Sequence, residues 1–423
     1  MSRLRFVHAA DLHLDSPFSG MRGEAPRQIT DTLHKATFDA YDNIIKLCLE
    51  EQVDALLVAG DIYDGADRSL RAQLRFVDGL KKLEDAGIRS FICHGNHDPL
   101  DGWEAGLDLP RGCVRFNSDV EGEPIFPDEP ERAMVYGISY PKKNVSENLS
   151  LRFTGVKSEF SIGLLHANVG SNTGHDSYAP CTVDDLVMTN INYWALGHVH
   201  TRQILRERDP VVAYPGNTQG RHPNEPDSHG VYLVEVDEGG TPSLEFREVD
   251  EVRWKTLSFD IGELDEVQDL INAINDRAGS VLEESRGRPV IVRVELTGRG
   301  RLHRTLSKEG TSDIVEQINK SHDGLEPWIW CDDISLNTGS PIDHEEVTRQ
   351  DDFTGYLARL AADFRTNQSE LDKLENSLQD LYLKSNASPY LREYMPSGDK
   401  LLELLSSAEN ECLAELVGEA DDS

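Results

Sequence analysis

Four short motifs hold most of the residues in this chain whose types and spacing suit chemistry: Asp11-Leu12-His13, Gly60-Asp61-Ile62-Tyr63-Asp64, Gly95-Asn96-His97-Asp98 and Gly197-His198-Val199-His200. Together they offer imidazoles, carboxylates and an amide carbonyl, and no thiolate. That mixture suits divalent cations of the manganese or iron kind. Two such cations about 3.5–4 Å apart can activate a hydroxide and clamp the attacking and leaving oxygens of an in-line phosphoryl displacement, with a shared carboxylate holding the spacing. A single Asp-x-His means little, because a histidine at a strand end is ordinarily a hydrogen-bonded surface residue. The ordered set means more, since each motif directly follows an apolar run.

Those runs are the elements that must position the motifs. Arg5–Ala10, Ala55–Ala59 and Ser90–Cys93 read as strands. Thr30–Glu51 reads as one helix with Phe38, Tyr41, Ile45 and Leu49 on a face, and Ser69–Ala86 as another. This alternation predicts βαβ units and a parallel-biased sheet, whose carboxyl edge is where ligands bind. Further strands are expected at Ala133–Ile138, Ser161–Leu165, Tyr193–Leu196, Val211–Tyr214, Gly230–Val236 and Ser243–Val249, with a loop over Gly220–Gly230. After Val252 the pattern becomes a compact α+β module of strands Trp254–Phe259, Pro289–Leu296 and Trp328–Leu336 with helices Glu263–Arg277 and Ser312–Asn319. From Asp351 the chain turns helical, with Leu357, Leu360, Phe364, Leu371, Leu374, Leu378 and Leu381 forming one apolar stripe interrupted at Asn367. Packing on its own domain and docking on a partner helix fit that stripe equally.

A chain of 423 residues is expected to hold two or three domains. Its net charge of −34 counts against a nucleic-acid substrate, because phosphate binders ordinarily carry a basic stripe. Part of the excess is local: 19 acidic against 7 basic residues follow from Asp343 onward. No apolar run approaches the roughly 20 residues of a membrane-spanning helix, and no export signal precedes the first strand. A cytoplasmic protein is expected. Cys48, Cys93, Cys113, Cys181, Cys331 and Cys412 lie far apart without a CxxC pair, so each is expected to be a small buried residue and not half of a disulfide.

In their order, the four motifs resemble those of the calcineurin-like metallophosphoesterases over roughly the first 250 residues. His8-Ala9-Ala10-Asp11-Leu12-His13-Leu14-Asp15-Ser16-Pro17-Phe18 and Pro215-Gly216-Asn217-Thr218-Gln219-Gly220-Arg221-His222 resemble the YhaO branch of the SbcD-type DNA-repair nucleases. The resemblance implies an α/β protein: a four-layer α/β/β/α catalytic domain over 1–250, a small α+β capping domain over 251–342 that helps form a nucleic-acid cleft, and an acidic helical C-terminal region over 343–423. It assigns Asp11, His13 and His200 to one metal and Asn96, His166 and His198 to a second, with Asp61 bridging. His166 is preferred to His175 because it ends the apolar run Ile162–Leu165, whereas His175 lies in a Gly/Asn-rich loop. His97 takes the part of proton donor to the leaving oxygen, with Asp64 orienting its ring.

The implied activity is metal-dependent hydrolysis of DNA phosphodiesters, exonucleolytic, with manganese preferred and iron or magnesium as alternatives. The C-terminal helices are expected to attach to a coiled-coil ATPase partner, and a homodimer is admitted. Arg221 and His222 suit either phosphate contact or a plain loop. His8 and Asp15 suit either ligand orientation or, more simply, core packing and a surface turn. Asp227-Ser228-His229-Gly230 replaces an expected glycine and lysine, which removes a positive charge. Two rivals stand beside the DNA reading: a phosphoesterase acting on nucleotides or other small esters, and a non-catalytic scaffold on the same fold.

Overall fold

The computed structural model describes residues 3–64, 69–102, 105–170, 178–341, 344–382 and 395–421. His175 lies outside them, and of Leu381 only the backbone is described. The strands of the first 250 residues are β1 (Leu4–Ala9), β2 (Ala55–Ala59), β3 (Arg89–Cys93), β4 (Cys113–Arg115), β5 (Glu121–Pro124), β6 (Ala133–Ile138), β7 (Phe160–His166), β8 (Tyr193–Gly197), β9 (Gln203–Arg206), β10 (Val211–Tyr214), β11 (Gly230–Val236) and β12 (Pro242–Glu248). They form two six-stranded sheets, ordered β12-β11-β1-β2-β3-β4 and β5-β6-β7-β8-β10-β9. Strands β1 to β4 are mutually parallel, and β11 closes against β1 antiparallel. In the second sheet β6, β7, β8 and β10 are parallel, while β5 and β9 pair antiparallel at the edges.

Side-chain alternation along each strand sorts the residues into layers. Phe6, Leu57 and Phe91 of the first sheet meet Ile162, Leu164 and Tyr193 of the second in one buried core. The opposite face of the first sheet, including Val7, Leu56 and Val58, packs on Phe38, Tyr41, Ile45 and Leu80 of its covering helices. On the far face of the second sheet Leu165, Trp194 and Leu196 pack with Leu149, Phe153 and Leu186. This outer layer is thin, made of a 3₁₀ turn Leu149–Arg152, a short helix Val183–Val187 and loops. The chain thus has the expected α/β fold of two large sheets flanked by helices, followed by a helical C-terminal region.

One expectation needs correction. The single helix over Thr30–Glu51 is two helices, Arg27–Leu33 and Ala36–Glu50, separated at His34 and Lys35. The physical reason is a change of partner. Ile29 and Leu33 face Val252, Trp254, Trp328 and Trp330, whereas Phe38, Tyr41 and Ile45 face the first sheet. The cysteines are all free. Cys48, Cys93, Cys181 and Cys331 are buried as expected, but Cys113 is half-buried and Cys412 exposed.

By internal packing the chain divides into two units. The first comprises Met1–Thr256, Ser280–Val292 and His322–Asp332; the second comprises Leu257–Gly279, Arg293–Ser321 and Asp333–Ser423. Strands β13 (Arg253–Asp260), β14 (Val290–Arg299) and β15 (Ile329–Gly339) form a three-stranded sheet. The stripe expected from Leu357 onward is broken into helices Phe353–Thr366 and Gln368–Tyr382, because Asn367 takes up an extended conformation between them. Among the described residues no helix is long and apolar enough to cross a membrane.

Candidate metal centre

The four motifs leave the ends of β1, β2, β3 and β8, and the first two remain laced together after the strands stop. Asp11 N donates to Gly60 O at 3.1 Å, His13 N to Asp61 O at 3.0 Å and Leu14 N to Ile62 O at 2.9 Å. The backbone then departs from strand geometry at the residues that matter. Asp11, His13, Asp61 and His198 take φ of +52°, +43°, +50° and +103°. A side-chain-bearing residue in such a conformation costs roughly 1–3 kcal/mol, and this cost persists where the surroundings impose it for function. Buried Asp98 is part of that imposition. Its Oδ2 accepts from Ile62 N at 2.9 Å and lies 3.0 Å from His94 Nδ1, and its Oδ1 accepts from Gly95 N at 2.7 Å, stapling the second motif to the third.

The glycines of the motifs make room. A Cβ on Gly60 would run into His166 Nδ1, on Gly95 into Asp61 Oδ1, and on Gly197 into the carbonyl oxygen of Ala59. His166, at the end of β7, thereby comes close to Gly60, Gly95 and Gly197.

The side chains converge in three overlapping groups: Asp11 with His13 and His200, Asp11 with Asp61 and His166, and His13 with Asp64 and His97. His13 Nε2 and His200 Nε2 stand 3.1 Å apart. Since His200 Nδ1 donates to Glu225 Oε1 at 2.6 Å, its Nε2 presents a lone pair toward His13. His166 repeats the pattern. Its Nδ1 donates to Ala59 O at 2.9 Å, and its Nε2 faces the Asn96 carbonyl oxygen at 3.0 Å and Asp61 Oδ2 at 3.4 Å. His198 enters through Nδ1, 3.2 Å from the same Asn96 oxygen, while its backbone N–H donates to both carboxylate oxygens of Asp11 at 3.1 Å. Imidazole nitrogens, carboxylates and an amide oxygen turned toward one another in this way fit a donor set that shares cations. All seven residues expected to hold metal are therefore brought to one place.

Electrostatics agree with that fit. Asp11 is nearly fully buried, and its burial raises its carboxyl to about 6. Burial also acts to raise Asp61, but the neighbouring His166 outweighs it and holds Asp61 well below the carboxylate range. Burial pushes His166 down, yet Asp61 and Asp11 lift it to about 9. His13 falls to about 4 through burial and the nearby Arg221. Buried carboxylates need countercharge. Protons on imidazole provide some of it, and divalent cations would provide more.

His97 stands at the rim with its side chain 39 % exposed, and its Nδ1 lies 2.6 Å from Asp64 Oδ1. The hydrogen bond to Asp64 raises His97 above the usual imidazole value, against the lowering effect of burial. Asp64 Oδ2 in turn accepts from Ser16 Oγ at 2.9 Å and Arg221 Nη1 at 3.2 Å. Asp64 thus fixes the half-exposed His97 ring through its Nδ1.

The remaining candidates separate clearly. His8 is buried between the Tyr193 hydroxyl, 2.9 Å from Nδ1, and Leu196 O, 3.1 Å from Nε2, and burial pulls it down to about 3. It is a core residue. Asp15 accepts from Ser69 Oγ at the start of helix Leu70–Asp85, and His222 packs on Gly20. Arg221 joins the site through Asp64. Sequence reasoning missed Ser16, Asp98 and Glu225. Ser16 and Asp98 stand inside runs already singled out, so their positions were within reach of pattern reading though their hydrogen bonds were not, whereas Glu225 lies outside every motif.

Comparison with known proteins points the same way. Residues 4–202 match the calcineurin-like phosphoesterase family, and residues 254–339 match the middle domain of metallophosphoesterase YhaO. The chain is 36 % identical over 363 residues to the uncharacterized metallophosphoesterase YhaO of Bacillus subtilis, covering 84 % of this chain and 86 % of that protein. It is 27 % identical over 246 residues to the DNA double-strand break repair protein Mre11 of Methanocaldococcus jannaschii, covering 55 % of this chain and 62 % of that one. To a component of the nuclease SbcCD of Bacillus subtilis it is 26 % identical over 249 residues, covering 51 % and 61 %. The chain thus spans less than two thirds of the length of the Mre11 and SbcCD relatives.

Proposed function

Since the chain belongs to the calcineurin-like metallophosphoesterases, and is a phosphoester hydrolase on that account, we propose that it hydrolyses DNA phosphodiesters from chain ends with manganese as its metal. The observation that carries this reading is the convergence of His13, His200, His166 and His198 on Asp11, Asp61 and Asn96, with His97 standing at the rim. In this reading Asp11, His13 and His200 hold one ion, Asn96, His166 and His198 hold the other, and Asp61 is shared. When bound, the ions supply the activated nucleophile and neutralise charge on the phosphate. The protein's own part is to fix those ligands, to keep His97 protonated through Asp64, and to hold Nε2 of His97 where a leaving oxygen takes up its proton. The names of the Mre11 and SbcCD relatives support DNA as the substrate.

One observation favours a second reading. A net charge of −34 repels a polyanion, which suits a small phosphoester better. The two part in a single assay with manganese: rates on an end-labelled linear duplex, a cyclic nucleotide and an aryl phosphodiester. The DNA reading expects stepwise shortening of the duplex, abolished by EDTA and restored by manganese. Turnover of the cyclic nucleotide with an intact duplex would establish the second reading instead.

A coiled-coil ATPase partner belongs to the same proposal. Helix Phe353–Thr366 leaves Phe353, Tyr356 and Leu360 exposed at 66 %, 56 % and 36 %, an apolar strip at helical spacing. Co-elution of the two proteins in gel filtration is expected, and Tyr356→Asp with Leu360→Asp should abolish it. Co-elution that survives both changes removes the strip from the interface.

A further inference from the structure

The loop after β10 holds a carboxylate that the family motifs do not include. We propose that Glu225 is a positioning residue that selects the metal-binding tautomer of His200 and ties the same loop to the His97–Asp64 pair; the proposal rests on the two-metal reading above.

Its backbone is pinned before its side chain acts. Glu225 N donates to His222 O at 2.8 Å, and His229 Nε2 donates to Glu225 O at 3.1 Å. Gly220 lets that carbonyl come close, because a Cβ there would meet it. His229, which stands in the stretch that departs from the family's expected glycine and lysine, thus has a structural task of its own.

The side chain is 17 % exposed and uses both oxygens. Oε1 accepts from His200 Nδ1 at 2.6 Å, and Oε2 accepts from Arg221 N at 2.8 Å. A carboxylate only accepts, so the first contact places the His200 proton on Nδ1 and turns the Nε2 lone pair toward His13 and Asp11. The second contact places the guanidinium of the same Arg221 on Asp64 Oδ2. One carboxylate therefore anchors a ligand imidazole directly and reaches the orienting partner of His97 through Arg221. Partners of this kind typically alter metal affinity about 10- to 100-fold when removed.

The test is calorimetric titration of the metal-free full chain with manganese chloride. Wild type is expected to bind two ions. Glu225→Ala should weaken one site about 10- to 100-fold and leave the other nearly unchanged. Glu225→Gln keeps an acceptor for Nδ1 without the charge and should fall between; it also carries the test should the alanine variant not fold. His200→Ala should weaken the same site, and adding Glu225→Ala to it should cost little more, because the two act as one unit. A residue that merely braces the loop would lower Tm while leaving both affinities intact. Unchanged affinities in the Glu225 variants, or effects that add to those of His200→Ala, overturn the proposal while the two-metal reading stands. A wild-type chain that binds fewer than two ions overturns both.

Discussion

Asp61→Asn is expected to yield a folded chain that cleaves DNA at least about 10³-fold more slowly and no longer holds two manganese ions. The substitution keeps the volume of a side chain that is 1 % exposed. It also keeps an acceptor for His97 N, which now donates to Asp61 Oδ1 at 2.9 Å. Only the negative charge is removed, at the carboxylate proposed to be shared. Charge stabilisation by such a metal pair is worth several kcal/mol, and each 1.36 kcal/mol is a decade in rate. Binding gives a second readout. A ligand at 100 times its Kd stabilises a fold by about 2.7 kcal/mol, so wild type should show a manganese-dependent rise in Tm that the variant lacks. Cleavage near the wild-type rate would falsify the assignment of Asp61 and remove the basis for a shared carboxylate.

How much of this was legible beforehand depends on what kind of physics each feature uses. The motif residues were legible because parallel strands deliver whatever follows them to one sheet edge, and Asp11, Asp61, Asn96 and His198 all follow buried strands. His166 was legible for a related reason, as the polar end of the fully buried run Phe160–His166. Strands β5 and β9 were not. Glu121–Pro124 and Gln203–Arg206 are partly exposed edge segments held by main-chain pairing, and the only apolar pair they carry, Ile204 and Leu205, is too short to mark a strand. The break at His34 escaped for the opposite reason. Apolar residues continue across it, and only the tertiary partners change, from Trp254 and Trp330 to the first sheet. Glu225 and Asp98 belong to a third kind. Each acts through two oxygens on backbone and imidazole groups at 2.6–3.0 Å, and a carboxylate in a loop looks the same in a sequence whether or not it does so.

His97→Gln tests the proton transfer separately from the metal ligands, because the expected loss depends on the leaving group. A deoxyribose alkoxide needs a proton as it departs, and removing a positioned general acid costs about 10²–10⁴-fold. An aryl phosphodiester expels a phenolate that departs without one, so its loss should stay within about tenfold. The pH dependence follows from the same pair of residues. The bond to Asp64 raises His97 above the usual imidazole value, so the acid form persists through neutrality. Wild-type cleavage of DNA should therefore fall as pH rises through that raised value, and the fall should be missing from His97→Gln. Asp64 stays ionised over this range: burial acts to raise it, but hydrogen bonds with His13 and His97 and the Arg221 charge hold it well below ordinary carboxylates. Asp64→Asn should accordingly keep the alkaline fall but move it to lower pH. Equal losses on both substrates in His97→Gln would show that the ring supports the metal ligands instead of the leaving oxygen.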